Sequence, residues 1–307
     1  MSKSYHIPVL LKESINGLNI LPNGVYVDAT FGGGGHTKEI LNHLNSSGKV
    51  IAFDQDADAI ENQIEDKRLK LIKSNFKYLT NHLNYLQINK IDGLLADFGI
   101  SSYQIDTEIR GFSIRFNSDL DMRMNKDQKK EAKQILNKYS SDDLNYIFKN
   151  FGELNNYKKV TQTIISQRSK QKIVTTGDLI NILKPISPPK NNNKFLAKIF
   201  QAIRIEVNDE LSVIKKLLKA SSQYLNKGGR LVCISYHSLE DRLVKRYIQN
   251  GSFNQLVESD IYGNKNTYFR KIGKIVTPSK YELNKNKRSR SAKLRIAEKI
   301  WKIFYRL

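Results

Sequence analysis

Cysteine is almost missing from this chain: Cys233 is the only one in 307 residues. No internal disulfide can form, and its place in the apolar run Leu231-Val232-Cys233-Ile234 reads as a small core residue rather than a nucleophile. Proline and glycine are scarce too, at 6 and 17 residues, and with 39% hydrophobic residues this excludes collagenous, low-complexity and disordered classes. No apolar run approaches the ~18 residues that cross a membrane. Residues 1–11 show no long apolar stretch before a small-residue cleavage site, so a cytoplasmic protein with no membrane partner is expected. The five histidines and lone cysteine lack metal-ligand spacing, no Ser/His/Asp triad is suggested by position, and no metal is expected.

Acidic residues are outnumbered: 30 Asp and Glu face 51 Lys and Arg, a formal charge of +21. Such an excess attracts polyanions, because lysines and arginines near phosphates release condensed counterions. AT-rich coding would also enrich Lys, Asn and Ile and leave some lysines merely solvated. The excess is concentrated, however: residues 280–307 hold ten basic and two acidic side chains, which favours nucleic acid as partner.

Short β-rich runs at 25–29, 50–53, 69–73 and 93–96 alternate with helical stretches beginning near Thr37 and Asp56, a βαβ pattern implying a parallel sheet covered on both faces. The next strand, 230–235, comes only after more than a hundred residues. Between them 128–137, 142–151, 157–169 and 176–183 read as helices, with Ser140 and Asp143 spaced as a capping box. The expectation is an α/β core of residues 1–105 and 206–307, interrupted by a helical substrate-recognition domain, 106–205. Residues 185–193, prolines followed by asparagines, read as a loop. A helix over 209–225 leads back to the core and stops at Lys227-Gly228-Gly229.

Chemistry concentrates after the strands. Asp28-Ala-Thr-Phe-Gly32-Gly-Gly34-Gly35-His36 joins the first strand to the first helix, where an α/β sheet binds nucleotides. A dinucleotide fingerprint needs a third glycine at position 37, which is Thr, so the pattern suits S-adenosylmethionine better than NAD; a turn that serves only packing is the bland alternative. Asp54 ends the second strand 20 residues beyond Gly34, the separation at which a carboxylate meets ribose hydroxyls, while Asp56 suits the helix cap. Phe76, after the third strand, is placed to pack on adenine or simply to join the core. Asp97 closes the fourth strand at the sheet's switch point, placed to act on the acceptor or to hold the cofactor's amino group. After the next strand Ser238 and Asp241 are spaced as a capping box, leaving Tyr236 as an exposed aromatic and His237 as a titratable ring, each suited to a flipped base.

Those segments together resemble a known family. His-Ile-Pro-Val-Leu-Leu at 6–11, residues 28–36, Asp-Phe-Gly-Ile-Ser-Ser at 97–102 with Gln104, Arg-Gly-Phe-Ser at 110–113, Leu-Asp-Met-Arg-Met at 120–124, Phe-Gln-Ala-Ile-Arg-Ile at 200–205, Ser-Tyr-His-Ser-Leu-Glu-Asp-Arg at 235–242 and Arg-Ser-Arg-Ser-Ala-Lys-Leu-Arg at 288–295 are similar, in order, to the bacterial small-subunit rRNA (cytidine-N4)-methyltransferases. The resemblance implies an α/β class I S-adenosylmethionine-dependent methyltransferase fold with an inserted helical domain. It also implies N4-methylation of a cytidine in the decoding centre of 16S rRNA, on free rRNA or the small ribosomal subunit, by a possible homodimer. By position, cofactor contacts fall on Gly34, Gly35, His36, Asp54, Phe76, Asp97 and Gln104. Asp97 and His237 are the catalytic candidates; Tyr236, Lys287, Arg288 and Arg290 are the RNA-binding ones. A methyltransferase for another nucleic acid and a non-catalytic assembly factor are the competing readings. The tail is expected to form a strand with Ala292, Leu294 and Ile296 on its core face.

Overall fold

A computed structural model describes residues 8–254 and 267–300. Seven strands, β1 (Val25–Asp28), β2 (Lys49–Asp54), β3 (Leu69–Lys73), β4 (Ile91–Asp97), β5 (Leu225–Ser235), β6 (Phe269–Val276) and β7 (Lys293–Lys299), form one sheet ordered β3-β2-β1-β4-β5-β7-β6. The first five run parallel, and β7 is antiparallel to both neighbours. This is the α/β sheet that the resemblance to the methyltransferases implies. Chain order reverses between β1 and β4, so the carboxyl ends of those two strands flank the switch point where such sheets bind ligands.

The central strands are apolar on consecutive residues because both sheet faces are covered. Val27, Ile51, Leu94 and Leu231 pack into one cluster with the helices after β3 and β5 and the one before β5. Their neighbours Tyr26, Val50, Leu95 and Val232 pack on the opposite side against Leu11–Leu18 and Gly35–His43. Cys233 belongs to the first cluster, and burial pushes its thiol up from the ordinary value, as suits a core residue.

The described residues divide into two compact units. One combines those up to Gly99 with those from Leu211 onward, and the other is Ile100–Glu210. The boundaries therefore lie about five residues outside those read from the sequence. The second unit is helical, with one isolated bridge between Asp119 and Thr175. Its core includes Leu136, Ile147, Phe148, Leu179 and Ile199. Arg110 is also buried there, donating through Nη2 to the carbonyls of Arg123 and Met124 at 3.0 Å each. Gly111 has φ +69°, and a Cβ there would meet the Asp119 carbonyl oxygen at 2.3 Å. The segments around 110–113 and 120–124 thus brace the second unit's own loops.

Several local expectations shift. The residues 185–193 form two short 3-10 turns, Lys184–Ile186 and Pro189–Asn191, and then enter a 17-residue helix, Asn192–Asn208. Phe195, Leu196, Ile199, Phe200, Ile203 and Val207 bury one face of that helix at helical spacing, which outweighs the turn preference of the asparagines. The helix expected at 128 starts at Ala132, behind a Glu131–Gln134 capping box, whereas the Ser140–Asp143 box forms as read. The helix over 209–225 ends at Tyr224, and Gly228, at φ +80°, lies within β5 rather than at a helix stop. The tail strand β7 buries Leu294 and Ala297, with Ala292 buried just before it and Ile296 only half-buried, and it is interior; β6 forms the sheet edge beyond it. Lys287, Arg288 and Arg290 precede it on a 3-10 turn, Lys287–Ser291. His6, Ile7 and residues 301–307 of the tail lie outside the described residues. Among the described residues no helix is long and apolar enough to cross a membrane.

Candidate active site

The site is built outward from the carboxyl end of β1. Asp28 is fully buried; one carboxylate oxygen accepts from Thr37 Oγ1 at 2.7 Å, the other from the Thr30 backbone N–H at 3.0 Å. Thr30 Oγ1 in turn accepts from the Asp97 N–H at 2.7 Å, so a single threonine ties β1 to β4. Thr37, which cost the motif its third glycine, supplies the hydroxyl that anchors Asp28. The sequence reading passed over Thr30 altogether, although it lies inside the glycine motif.

The glycine turn is held from β2. Asp54 accepts from the Gly32 N–H through one oxygen and from the Asp56 N–H through the other, both at 2.8 Å. Asp56 caps the next short helix, Ala57–Ile60. Gly34 has φ +74° and begins the helix Gly35–His43 as its N-cap. A Cβ at Gly35 would lie 2.1 Å from Pro8, while one at Gly33 would meet nothing within 4 Å, which leaves an open cradle along that turn. His36 points elsewhere than expected of a ligand: its Nε2 donates to the Val9 carbonyl at 3.2 Å, and burial lowers its pKa, keeping the ring neutral. It braces the chain entering from residues 8–10.

Phe76 opens the turn after β3, and its ring centroid lies 6.3 Å from that of Phe98, which follows β4. Gln104 belongs to the second unit, where its side chain closes a capping box with Ser101. Its cofactor role was read from position alone.

The β5 end corrects two expectations. Tyr236 is half-buried and its hydroxyl donates to Asp97 Oδ1 at 2.8 Å, so it is no exposed platform for a base. His237, not Ser238, is the N-cap of the helix Ser238–Asn250, and Glu240, not Asp241, completes its capping box. Fully buried Glu240 receives the backbone N–H groups of Tyr236 and His237 on one oxygen, and Asp241 is engaged elsewhere by Arg295 at 2.7 Å. His237 Nδ1 accepts from the Glu240 N–H, which leaves the ring proton on Nε2, 3.1 Å from a Glu240 oxygen. The signal for this box was a Glu three residues past a strand-ending His.

Desolvation dominates the electrostatics. Burial raises Asp28, pushes Asp54 up to about 6 and pushes Asp97 up to about 7, each partly offset by its hydrogen bonds. Among the described residues no Lys or Arg pairs with any of the three. One buried and two half-buried carboxylates without a protein cation, beside an open glycine turn, fit a ligand that brings positive charge of its own. S-adenosylmethionine, with a sulfonium and an ammonium group, has that chemistry.

A sequence model of the MraW methylase family matches residues 3–300. The chain belongs to this family. As one of its methylases it uses S-adenosylmethionine as methyl donor. It is 51% identical over 96% of its length to a protein of Christiangramia forsetii, covering 98% of that protein, and equally identical to one of Cytophaga hutchinsonii, 99% covered. A third relative, from Flavobacterium johnsoniae, is 50% identical, with 98% of its length covered. All three are named ribosomal RNA small subunit methyltransferase H. A solved rRNA methylase of Streptococcus thermophilus is 12% identical over 96% of this chain and 98% of that one, with a TM-score of 0.40.

In this MraW family member the turn's glycines are separable by experiment. At Gly34 a Cβ would lie 2.9 Å from Phe31 Cζ and 3.2 Å from Ile64 Cδ1, at a positive φ. Gly34→Ala is therefore expected to destabilise the protein by about 1–3 kcal/mol. Gly33→Ala meets no protein atom and should unfold like wild type while binding S-adenosylmethionine more weakly. Thermal unfolding with cofactor titration checks both; equal stability of the two variants would count against the turn geometry.

Proposed function

We propose that the protein transfers the methyl group of S-adenosylmethionine to N4 of a cytidine in the decoding centre of small-subunit rRNA, in the cytoplasm. The observation that carries this is the half-buried Asp97 carboxylate at the switch point, held by Tyr236 and tied through Thr30 to β1. The names of relatives sharing half their residues with this chain, and its +21 charge, support rRNA as acceptor.

When bound, S-adenosylmethionine supplies an electrophilic methyl group. Asp54 is placed to accept from the ribose hydroxyls on its remaining lone pairs, and the open turn at Gly33 admits close approach of the ligand while Gly34 shapes that turn as the helix N-cap. Phe76 offers an aromatic face to adenine, and Gly35 and His36 complete the proposed cofactor set in this unit, His36 by fixing the turn. Cytosine N4 is a poor nucleophile because its lone pair is delocalised into the ring. Asp97 would accept the amino hydrogens as nitrogen becomes tetrahedral and positive, an interaction that strengthens only as charge develops. Its pKa of about 7 also lets it take up the proton that N4 sheds afterwards. Tyr236 and His237 hold this arrangement through Asp97 and Glu240.

Labelled S-adenosylmethionine incubated with free rRNA or with small subunits lacking the mark, followed by nucleoside analysis, tests the reading. N4-methylcytidine is the expected product; any other methylated nucleoside, or none from either substrate, refutes it.

The basic turn is proposed to hold RNA phosphates. Lys287 and Arg290 are exposed and Arg288 half-buried. Replacing all three by Ala should weaken RNA binding at low salt and flatten its logarithmic salt dependence by roughly 2 units, at about 0.7 per phosphate on single strands. Cofactor affinity should not move. An unaltered slope across a salt series would place the RNA elsewhere.

A further inference from the structure

A second cationic feature lies away from the carboxylates. Between the helix Ser238–Asn250 and strands β6 and β7 is a small recess walled by Lys245, Lys271, Lys274 and Arg295, with Ile248, Ile272 and Ile275 among its apolar lining. No carboxylate lines it. The acids nearby in sequence are already engaged: Asp241 binds Arg295 through both oxygens, at 2.7 and 3.0 Å, and Glu298 binds Arg230 and Arg270 at 2.9 and 2.6 Å. Lys245, Lys271 and Lys274 are exposed and form no ion pair among the described residues.

Edge strands often carry lysines simply to discourage pairing with another sheet, and β6 is an edge. That accounts for Lys271 and Lys274. It does not account for Lys245, which projects from a helix packed on the sheet toward the same recess, nor for Ile275, a large apolar side chain left 38% exposed beside the lysines. Cations around an apolar floor match a nucleic-acid strand, whose phosphates take the charges while a ribose or base covers the apolar surface. β6 also shifts register between Ile272 and Val276, with Gly273 at φ +62° and nothing within 4 Å of its Cβ position. The strand therefore bends away from the regular ladder that a second sheet would need.

We infer that this recess is a second contact surface for the RNA substrate, gripping its sugar–phosphate backbone through Lys245, Lys271 and Lys274. The inference rests on the proposed rRNA acceptor. It is distinct from the basic turn at Lys287–Ser291, because none of that turn's residues lines the recess.

The test uses the full-length protein and whichever of free small-subunit rRNA or unmethylated small subunits the wild type methylates. Lys245→Ala, Lys271→Ala and Lys274→Ala are combined, and affinity is measured across a salt series. Three lost phosphate contacts should flatten the logarithmic slope by about 2 units. The melting temperature and S-adenosylmethionine affinity should stay at wild-type values. A companion variant with Arg at the same three positions should keep the slope, since it keeps the charge. If wild type methylates the RNA and the alanine variant shows an unchanged slope and affinity, the inference is overturned and the lysines serve the strand edge. If wild type transfers no methyl group to either substrate, the proposed function fails instead.

Discussion

Asp97→Asn is expected to lower the methylation rate by about 10²–10³, the usual loss when one preorganised group facing developing charge is neutralised. The substitution keeps the size of the side chain and an oxygen for the Tyr236 hydroxyl, now 2.8 Å from Oδ1. S-adenosylmethionine affinity should fall much less than the rate. The pH dependence follows from burial, which pushes Asp97 up to about 7. The wild-type rate should rise with pH through that value as the carboxylate forms, and the Asn variant should lose this limb. Stability runs the other way. A carboxyl whose pKa is higher folded than unfolded adds stability that is complete below the unfolded value and is lost as pH rises through the folded one. Raising it from 3.8 to about 7 corresponds, at about 1.4 kcal/mol per pH unit, to on the order of 4 kcal/mol. Asp97→Asn should therefore melt higher than wild type at pH 8 in the absence of cofactor, with the difference shrinking toward pH 4. Single-turnover kinetics and a melting series over pH read the two effects separately. Equal losses of rate and cofactor affinity would leave Asp97 as a cofactor anchor only.

Asp54→Ala should weaken S-adenosylmethionine binding by about 1–3 kcal/mol, or roughly 5- to 150-fold, as expected when hydrogen bonds to a charged acceptor are lost. The loss has two sources. The ribose hydroxyls lose their proposed acceptor, and the N–H groups of Gly32 and Asp56 lose the carboxylate that holds the glycine turn against β2. Asp54→Asn separates them, because the amide retains one acceptor oxygen for the turn while giving up the charge. RNA affinity should be almost unaffected by either change. Calorimetry showing undiminished cofactor affinity in Asp54→Ala would falsify the ribose assignment.

Much of this molecule is written locally. Consecutive apolar residues at 25–27, 50–53 and 93–96 specify strands buried on both faces, and the glycine turn between β1 and the next helix needs only residues close in sequence. The Ser140–Asp143 box and the helix Thr176–Leu183 are equally local, so pattern alone finds them. Asp54 and Asp97 are legible as strand-ending acids for the same reason. What pattern could not supply is partner choice. Tyr236 and Asp97 are 139 positions apart, and only the pairing of β4 with β5 brings the phenol to the carboxylate and leaves it half-buried. The tail's period of two identifies a strand but not its neighbours; insertion of β7 between β5 and β6 makes it interior and leaves β6 as the edge. The capping box after β5 slipped by one residue because two overlapping acid spacings, 237–240 and 238–241, are locally equivalent until Arg295 from β7 claims Asp241. The sequence by itself thus determined the α/β class, the glycine turn, the acids at the strand ends and the basic charge, all encoded by neighbouring residues. Only the tertiary structure decided which of those acids are desolvated and what holds them, because burial and long-range hydrogen bonds belong to the packed chain and to no segment of it.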